Sequence, residues 1–322
     1  MKIDWKTCNI WIDNHVLETF RTCEEKFNLQ IYQQQVPIEK APALAFGIAM
    51  HAGRECYKRL LIDAPNVTMD HRIDAAVIVA AGAWNREMPA SMKDEVMGND
   101  KRSQNNLIRL LRGYLSKFGG MEYKPILVEQ PVTWPLLVTV SGWQVNYTAL
   151  IDEVVEYENA PWILEFKTHA NVFGPPGDSY FMQWRQADSI TGYVWAAGMF
   201  LNKRVRGAIV HAAWVQAEPK GKSKYSLPDY FQMDCTERSD ARIEEWKENV
   251  AITVDRLITV IESGKYQRQN NATCVNYGKC TYYDVCNAEP AIRSMILTTD
   301  FEKREWDPLA RVKKDEVNNE ST

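Results

Sequence analysis

The segment Leu150–Ala170, LIDEVVEYENAPWILEFKTHA, decides how the rest of the chain is read. Two runs rich in Val, Ile, Leu and Phe flank Glu158–Pro161, where Asn and Pro mark a turn. The segment therefore predicts an antiparallel hairpin. With a four-residue turn over Glu158–Pro161, Asp152 falls opposite Lys167, and Glu165 is its diagonal neighbour on the same face. Glu165 and Lys167 share a face in any register, because strand side chains alternate with a period of two. One carboxylate from each strand and one ammonium converge on one spot.

Two carboxylates that close repel each other unless a proton or a cation stands between them. Mg²⁺ or Mn²⁺ answers that need, being a hard cation that takes oxygen ligands. Such an ion lowers the pKa of a bound water and neutralises charge developing on a phosphate. Lys167 would then orient the attacking water or stabilise the transition state. The plain alternative is a cross-strand Asp–Lys pair on a solvated face, worth less than about 1 kcal/mol. Against it, Ile151, Val154, Val155, Ile163, Leu164 and Phe166 make both strands apolar, as in a buried sheet. Charged groups on buried strands need a physical reason.

Upstream of the hairpin, apolar spacing predicts helices over Asn14–Gln30, Leu44–Leu61, Asp74–Glu87 and Gln104–Phe118, the last stopped by Gly119-Gly120. The second carries His51 and Glu55 four residues apart on one face. Strands follow at Ile126–Trp134 and Leu137–Trp143. Downstream come a helix over Gln183–Phe200, strands at Gly207–Gln216 and Tyr225–Met233 around an exposed loop at PKGKSK (219–224), and a helix over Arg242–Gly264. This order predicts an α/β fold with a mixed central β-sheet flanked by helices. Residues 1–120 form a helical region, 121–235 the core sheet, and 236–322 a C-terminal helix, cysteine cluster and tail. Residues 14–290 are read as one integrated domain, and Val312–Thr322 as a frayed end.

The composition, with 322 residues, 45% apolar and 25% charged residues and a formal charge of −4, is that of a soluble globular protein. It excludes a disordered chain, a collagen-like repeat and a strongly basic DNA coat. No apolar run approaches the ~18–20 residues of a membrane span. The opening MKIDWKTCNIWIDNH lacks the apolar core of a signal peptide, so a cytoplasmic location is expected. Seven cysteines, an odd number, then argue against a disulfide framework. Cys274, Cys280 and Cys286 stand apart from the rest, with five residues in each gap. No G-x-x-x-x-G-K-[ST], G-x-S-x-G or H-E-x-x-H occurs, so nucleotide-driven motors, serine hydrolases and metalloproteases of those kinds lose support.

Asp152 with Glu165-Phe166-Lys167-Thr168 resembles the core motif of the PD-(D/E)xK nucleases. The restriction-endonuclease-like core of that superfamily agrees with the predicted sheet. More specifically, the chain is similar to RecB-type nuclease domains and to CRISPR-associated exonucleases that carry a four-cysteine iron–sulfur cluster. The supporting features occur in order: Cys23 in TFRTCEEKF, Gly47 and His51 in FGIAMHAGRE, the Asp and ExK strands, Tyr193 in QADSITGYVWAA, and CVNYGKCTYYDVC near the end. The resemblance runs from about residue 14 to 290. Two departures stand out. Ser189 occupies the place of the family's usual Gln, leaving Gln186 one turn earlier, and Ala149-Leu150 replaces the usual Gly before the motif Asp.

The resemblance implies that His51, Asp152 and Glu165 hold Mg²⁺ or Mn²⁺ with the Phe166 carbonyl, and that Lys167 is catalytic. Gln186 and Tyr193 would contact the nucleic-acid strand or brace the site. Cys23, Cys274, Cys280 and Cys286 would bind a [4Fe–4S] cluster, giving a C-terminal iron–sulfur segment. Structural Zn²⁺ is the rival, although zinc sites favour shorter cysteine gaps. The implied activity is a metal-dependent deoxyribonuclease, an exonuclease on single-stranded DNA ends. Such domains serve in repair, recombination, and phage or CRISPR DNA processing, with any helicase supplied by a partner chain. The other class of function is a nuclease-fold DNA-binding or scaffolding module. Strand contacts would come from Lys101-Arg102, Arg109 and Arg112, from Lys203-Arg204 and Arg206, and from Lys220, Lys222 and Lys224. His169, two residues past Lys167, matches no motif.

Overall fold

The computed structural model describes residues 1–88, 100–121, 123–170, 174–269, 272–275 and 278–305; the segment Val312–Thr322 lies outside them. Strands β1 (Lys2–Asp4) and β2 (Asn9–Ile12) lead into α1 (Asn14–Thr22), which Asp13 caps by accepting from the Val16 amide. The helix expected over Asn14–Gln30 is broken. Cys23 is extended, with φ −166°, and α2 (Glu24–Phe27) and a π-turn, Asn28–Tyr32, follow. After β3 (Gln35–Pro37) come three helices close to the expected ones, α3 (Pro42–Asp63), α4 (Met69–Glu87) and α5 (Gln104–Phe118). Pro42 opens α3, where its missing N–H costs nothing, and Thr68 and Ser103 cap α4 and α5.

The two strands expected between residues 126 and 143 are one strand, β4 (Lys124–Val138), and a turn. Then come β5 (Gln144–Tyr157) and β6 (Ala160–His169). Their hairpin turn has two residues, not four, since Tyr157 pairs with Ala160 and Val154 with Ile163. Glu158 and Asn159 both have positive φ, 50° and 59°, the backbone of a two-residue turn that matches strand twist. The register thus differs by two residues from the expected one. Each side chain keeps its face, and the same step continued sets Asp152 opposite Glu165.

The helix expected over Gln183–Phe200 is two helices, α6 (Asp178–Gln186) and α7 (Asp188–Leu201), parted at an extended Ala187. Buried Arg238 stabilises the break. Its Nη2 donates to the Trp184 carbonyl at 3.0 Å and the Ala187 carbonyl at 3.4 Å, and its Nε to Thr191 Oγ1 at 2.9 Å. Beyond lie β7 (Gly207–Trp214), β8 (Phe231–Glu237), α8 (Asp240–Ser263), α9 (Tyr283–Asn287), α10 (Pro290–Thr299) and β9 (Phe301–Lys303). The strand expected at Tyr225 starts later because Leu227–Tyr230 is a 3-10 turn, held by a capping box between Ser226 and Asp229.

The hydrogen-bonded strand order is β1-β2-β5-β6-β7-β8, with β4 also on β5, a seven-stranded mixed sheet. β2 is parallel to β5 and β6 to β7, whereas β5–β6 and β7–β8 are antiparallel. Every residue of β7 is buried, as in a sheet covered on both faces. Residues group into two compact units, and β4 and β5 each pass from one to the other. The first comprises Met1–Ile38, Pro131–Leu150 and Ser239–Thr322, the second Glu39–Gln130 and Ile151–Arg238. In the first, Tyr147 of β5 meets Trp246 of α8 edge-on at 5.3 Å. In the second, α3, α4 and α5 pack with Phe166, Trp214 and Phe231 in one apolar cluster.

Candidate metal centre

Three elements of the second unit bring their carboxylate and imidazole groups together. His51 of α3, Glu129 of β4 and Asp152 of β5 each offer an atom within 4.8 Å of the others'. His51 Nδ1 is 3.3 Å from Asp152 Oδ2. Glu129 is buried, and its φ of 48° lies in the left-handed region that side chains seldom occupy. Such a conformation costs of order 1–3 kcal/mol, persists only where the surroundings enforce it, and gathers at functional sites.

β6 supplies the other half. Glu165 is only 3% exposed, and Lys167 Nζ lies 2.5 Å from its Oε1. Burial raises the Glu165 pKa and Asp152 adds to the rise, while Lys167 and His51 oppose it. Its Oε2 is buried and has no hydrogen-bond partner among the described residues. A buried carboxylate oxygen in that state fits a cation, and the group formed by the His51 imidazole and the Glu129 and Asp152 carboxylates suits Mg²⁺ or Mn²⁺. Burial works to lower the Lys167 pKa, but the charge of Glu165 outweighs it and the ammonium is retained. The Trp184 ring stands beneath that ammonium, 5.3 Å from centroid to Nζ.

Behind the acidic group lies a buried charged cluster. Glu153 is 2% exposed, with Lys58 Nζ at 2.9 Å and Arg54 Nη2 at 3.7 Å. The Arg54 guanidinium also lies 4.4 Å from the centroid of the Phe166 ring. His211 is enclosed by Tyr114, whose Oη is 2.8 Å from Nδ1, and Tyr123, whose Oη is 3.4 Å from Nε2. Burial, helped by Arg54 and Lys58, holds its pKa well below the usual histidine value. Arg54, which also feels the charge of Asp152, and Lys58 offset the charge of the carboxylates.

Of the residues read from the sequence, His51 and Asp152 come together, and so do Glu165 and Lys167. The Phe166 ring is buried edge-on to His51 at 5.5 Å. Gln186 and Tyr193, expected on one helix, lie on two, parted at Ala187; Gln186 is exposed and Tyr193 half-buried. Glu55 pairs with Arg59 at 2.9 Å. Among the basic candidates, Arg112 pairs with Asp74, Arg206 with Glu237, and Arg109 donates to the Gln216 carbonyl. Lys220, Lys222 and Lys224 are exposed, as the loop reading expected. Glu129 was not legible, since it belongs to no spacing pattern with Asp152 or Glu165.

The cysteine expectation needs correction. Cys23, Cys274, Cys280 and Cys286 line one cavity of about 330 Å³ in the first unit, with Lys26, Arg268 and Tyr282. They are not arranged as the ligands of a [4Fe–4S] cluster. Nor do they form a zinc site, for among the described residues no three sulfurs come within 4.8 Å of one another. Burial raises the Cys286 pKa, and Arg268 opposes the rise.

No helix among the described residues is long and apolar enough to cross a membrane. No family model matches the chain, and no curated protein matches it. Among solved structures, one from Eubacterium rectale, described as an exonuclease candidate, aligns with a TM-score of 0.42 at 13% identity, covering 90% of this chain and 93% of its own. Another, SSO0001, aligns with a TM-score of 0.29 at 12% identity, covering 86% of this chain and 95% of its own. Likenesses this remote leave the chemistry of the site to be read from its own geometry.

Proposed function

We propose that the chain is a metal-dependent nuclease that hydrolyses DNA phosphodiester bonds, acting on single-stranded ends. The observation that carries this reading is the convergence of His51, Glu129 and Asp152 beside the buried Glu165–Lys167 pair. His51, Asp152 and Glu165, with the Phe166 carbonyl and Glu129, would hold Mg²⁺ or Mn²⁺. The bound ion would acidify a water and neutralise charge on the phosphate. Lys167, kept protonated by Glu165, donates a hydrogen bond toward the attacking water or the phosphate oxygens. Arg54 and Lys58 hold Glu153 and so fix the strand that bears Asp152. Exposed Gln186 and the lysines of the 219–224 loop are the strand contacts, and a helicase, where one is needed, comes from another chain. A scaffolding role does not explain why Glu165 Oε2 is buried and unpaired.

The test is cleavage of end-labelled single-stranded and duplex DNA with Mg²⁺, Mn²⁺ or EDTA. Wild type is expected to cut only with metal, Asp152→Ala to lose cutting, and Lys167→Ala to lose cutting while still binding DNA. Labels at opposite ends give the polarity. Metal-independent cutting, or unimpaired cutting by either variant, would overturn the assignment.

A further inference from the structure

β6 presents a third side chain on the face that carries Glu165 and Lys167, namely His169. Its ring centroid lies 4.3 Å from that of Tyr180, in the first turn of α6. Trp184 follows one turn later, 6.2 Å from Tyr180, and its ring carries the Lys167 ammonium. Three half-buried rings thus run as one wall from Lys167 outward. Packing around Lys167 accounts for Trp184, and Tyr180 is near enough to feel the same charge. That packing does not account for His169, whose Nε2 is buried and without a hydrogen-bond partner among the described residues. Lys101 closes the far end by donating to the Ala170 carbonyl at 3.1 Å. Burial and Lys101 lower the His169 pKa, so the ring is a neutral stacking and hydrogen-bonding surface.

Two residues along a strand advance by roughly 6.6 Å, comparable to one nucleotide step of an extended strand. A wall beginning at Lys167 therefore reaches the nucleotide beside the one being cut. We propose that His169, Tyr180 and Trp184 form a subsite that stacks the nucleobase next to the scissile phosphate, a proposal that rests on the nuclease reading above. The substrate is then a polynucleotide whose bases near the cut are unpaired, because a base inside a duplex is already stacked on its neighbours. Ring stacking of this kind accepts any base, so the subsite selects for single strands and not for sequence.

The experiment compares single-stranded oligonucleotides that are intact or carry one tetrahydrofuran abasic residue, placed in turn at each position beside the cut. Wild type should cut the intact strand about tenfold or more efficiently than the strand lacking the base at one such position, the effect expected of one stacked base. Tyr180→Leu should lose that discrimination, His169→Ala should reduce it, and Tyr180→Phe should keep it. A merely structural role would lower both rates together. If wild type cuts both strands equally, or if Tyr180→Leu discriminates as wild type does, the subsite is overturned and the nuclease reading stands. If wild type cuts no oligonucleotide with either metal, the nuclease reading falls and the subsite with it.

Discussion

Glu129 shows what one residue can add to a motif. Glu165 and Lys167 are legible because strand alternation puts them on one face in any register, and Asp152 joins that face in the expected register and in the observed one, two residues away. Glu129 lies on a third strand, in the left-handed region, and no periodicity of the sequence points to its meeting with His51 and Asp152. As a metal-holding residue it should be replaceable in shape but not in charge. Glu129→Gln is expected to raise the Mn²⁺ concentration for half-maximal cleavage by about 10–100-fold, the usual effect of removing a group that supports a metal site. A metal titration with an unchanged midpoint would remove Glu129 from the centre.

At the scale of elements, α3 owes its position to Gly53. A Cβ there would lie 2.5 Å from Leu111 Cδ2 and 2.9 Å from the Ala76 carbonyl oxygen, so α3 packs directly on the backbone of α4. Gly53→Ala would gain about 1 kcal/mol of helix propensity and lose about 1–3 kcal/mol to overpacking. A net loss of stability in urea unfolding is expected, together with weaker metal binding, since α3 carries His51. Gly82 on α4 is the opposite case, its nearest neighbour being the flexible end of Arg86 at 3.6 Å. Gly82→Ala should stabilise by up to about 1 kcal/mol. If both variants move stability in the same direction, the packing account is wrong.

For the molecule as a whole, buried His211 sets a pH dependence of stability. Its native pKa is depressed well below the ordinary value of 6.5, because burial in the aromatic cage disfavours the charged ring. The unfolded chain therefore binds a proton in a range where the native state does not. Its contribution to stability is full above 6.5. Below that it falls by up to about 1.4 kcal/mol per pH unit until the native pKa is passed. His211→Gln, neutral throughout, should flatten that part of the acid limb in urea unfolding between about pH 5 and 7.5. Equal slopes for the two proteins would show that His211 is not the group responsible.

Sequence by itself determined the helices α3, α4, α5 and α8, the strand β7, and the hairpin that bears Asp152, Glu165 and Lys167; α3 is the helix that bears His51. Each follows from a local period, of two or of 3.6 residues, which neighbouring side chains impose whatever lies around them. Only the tertiary structure decided the two-residue turn, the break at Ala187, the entry of Glu129 into the centre and the spacing of the four cysteines. The turn aside, these depend on groups far apart in the chain: Arg238 bonding to the carbonyls of Trp184 and Ala187, β4 carrying Glu129 to His51, and Cys23 sharing a cavity with thiols some 250 residues away. Local periodicity encodes which face a side chain takes and carries no information about distances set by packing.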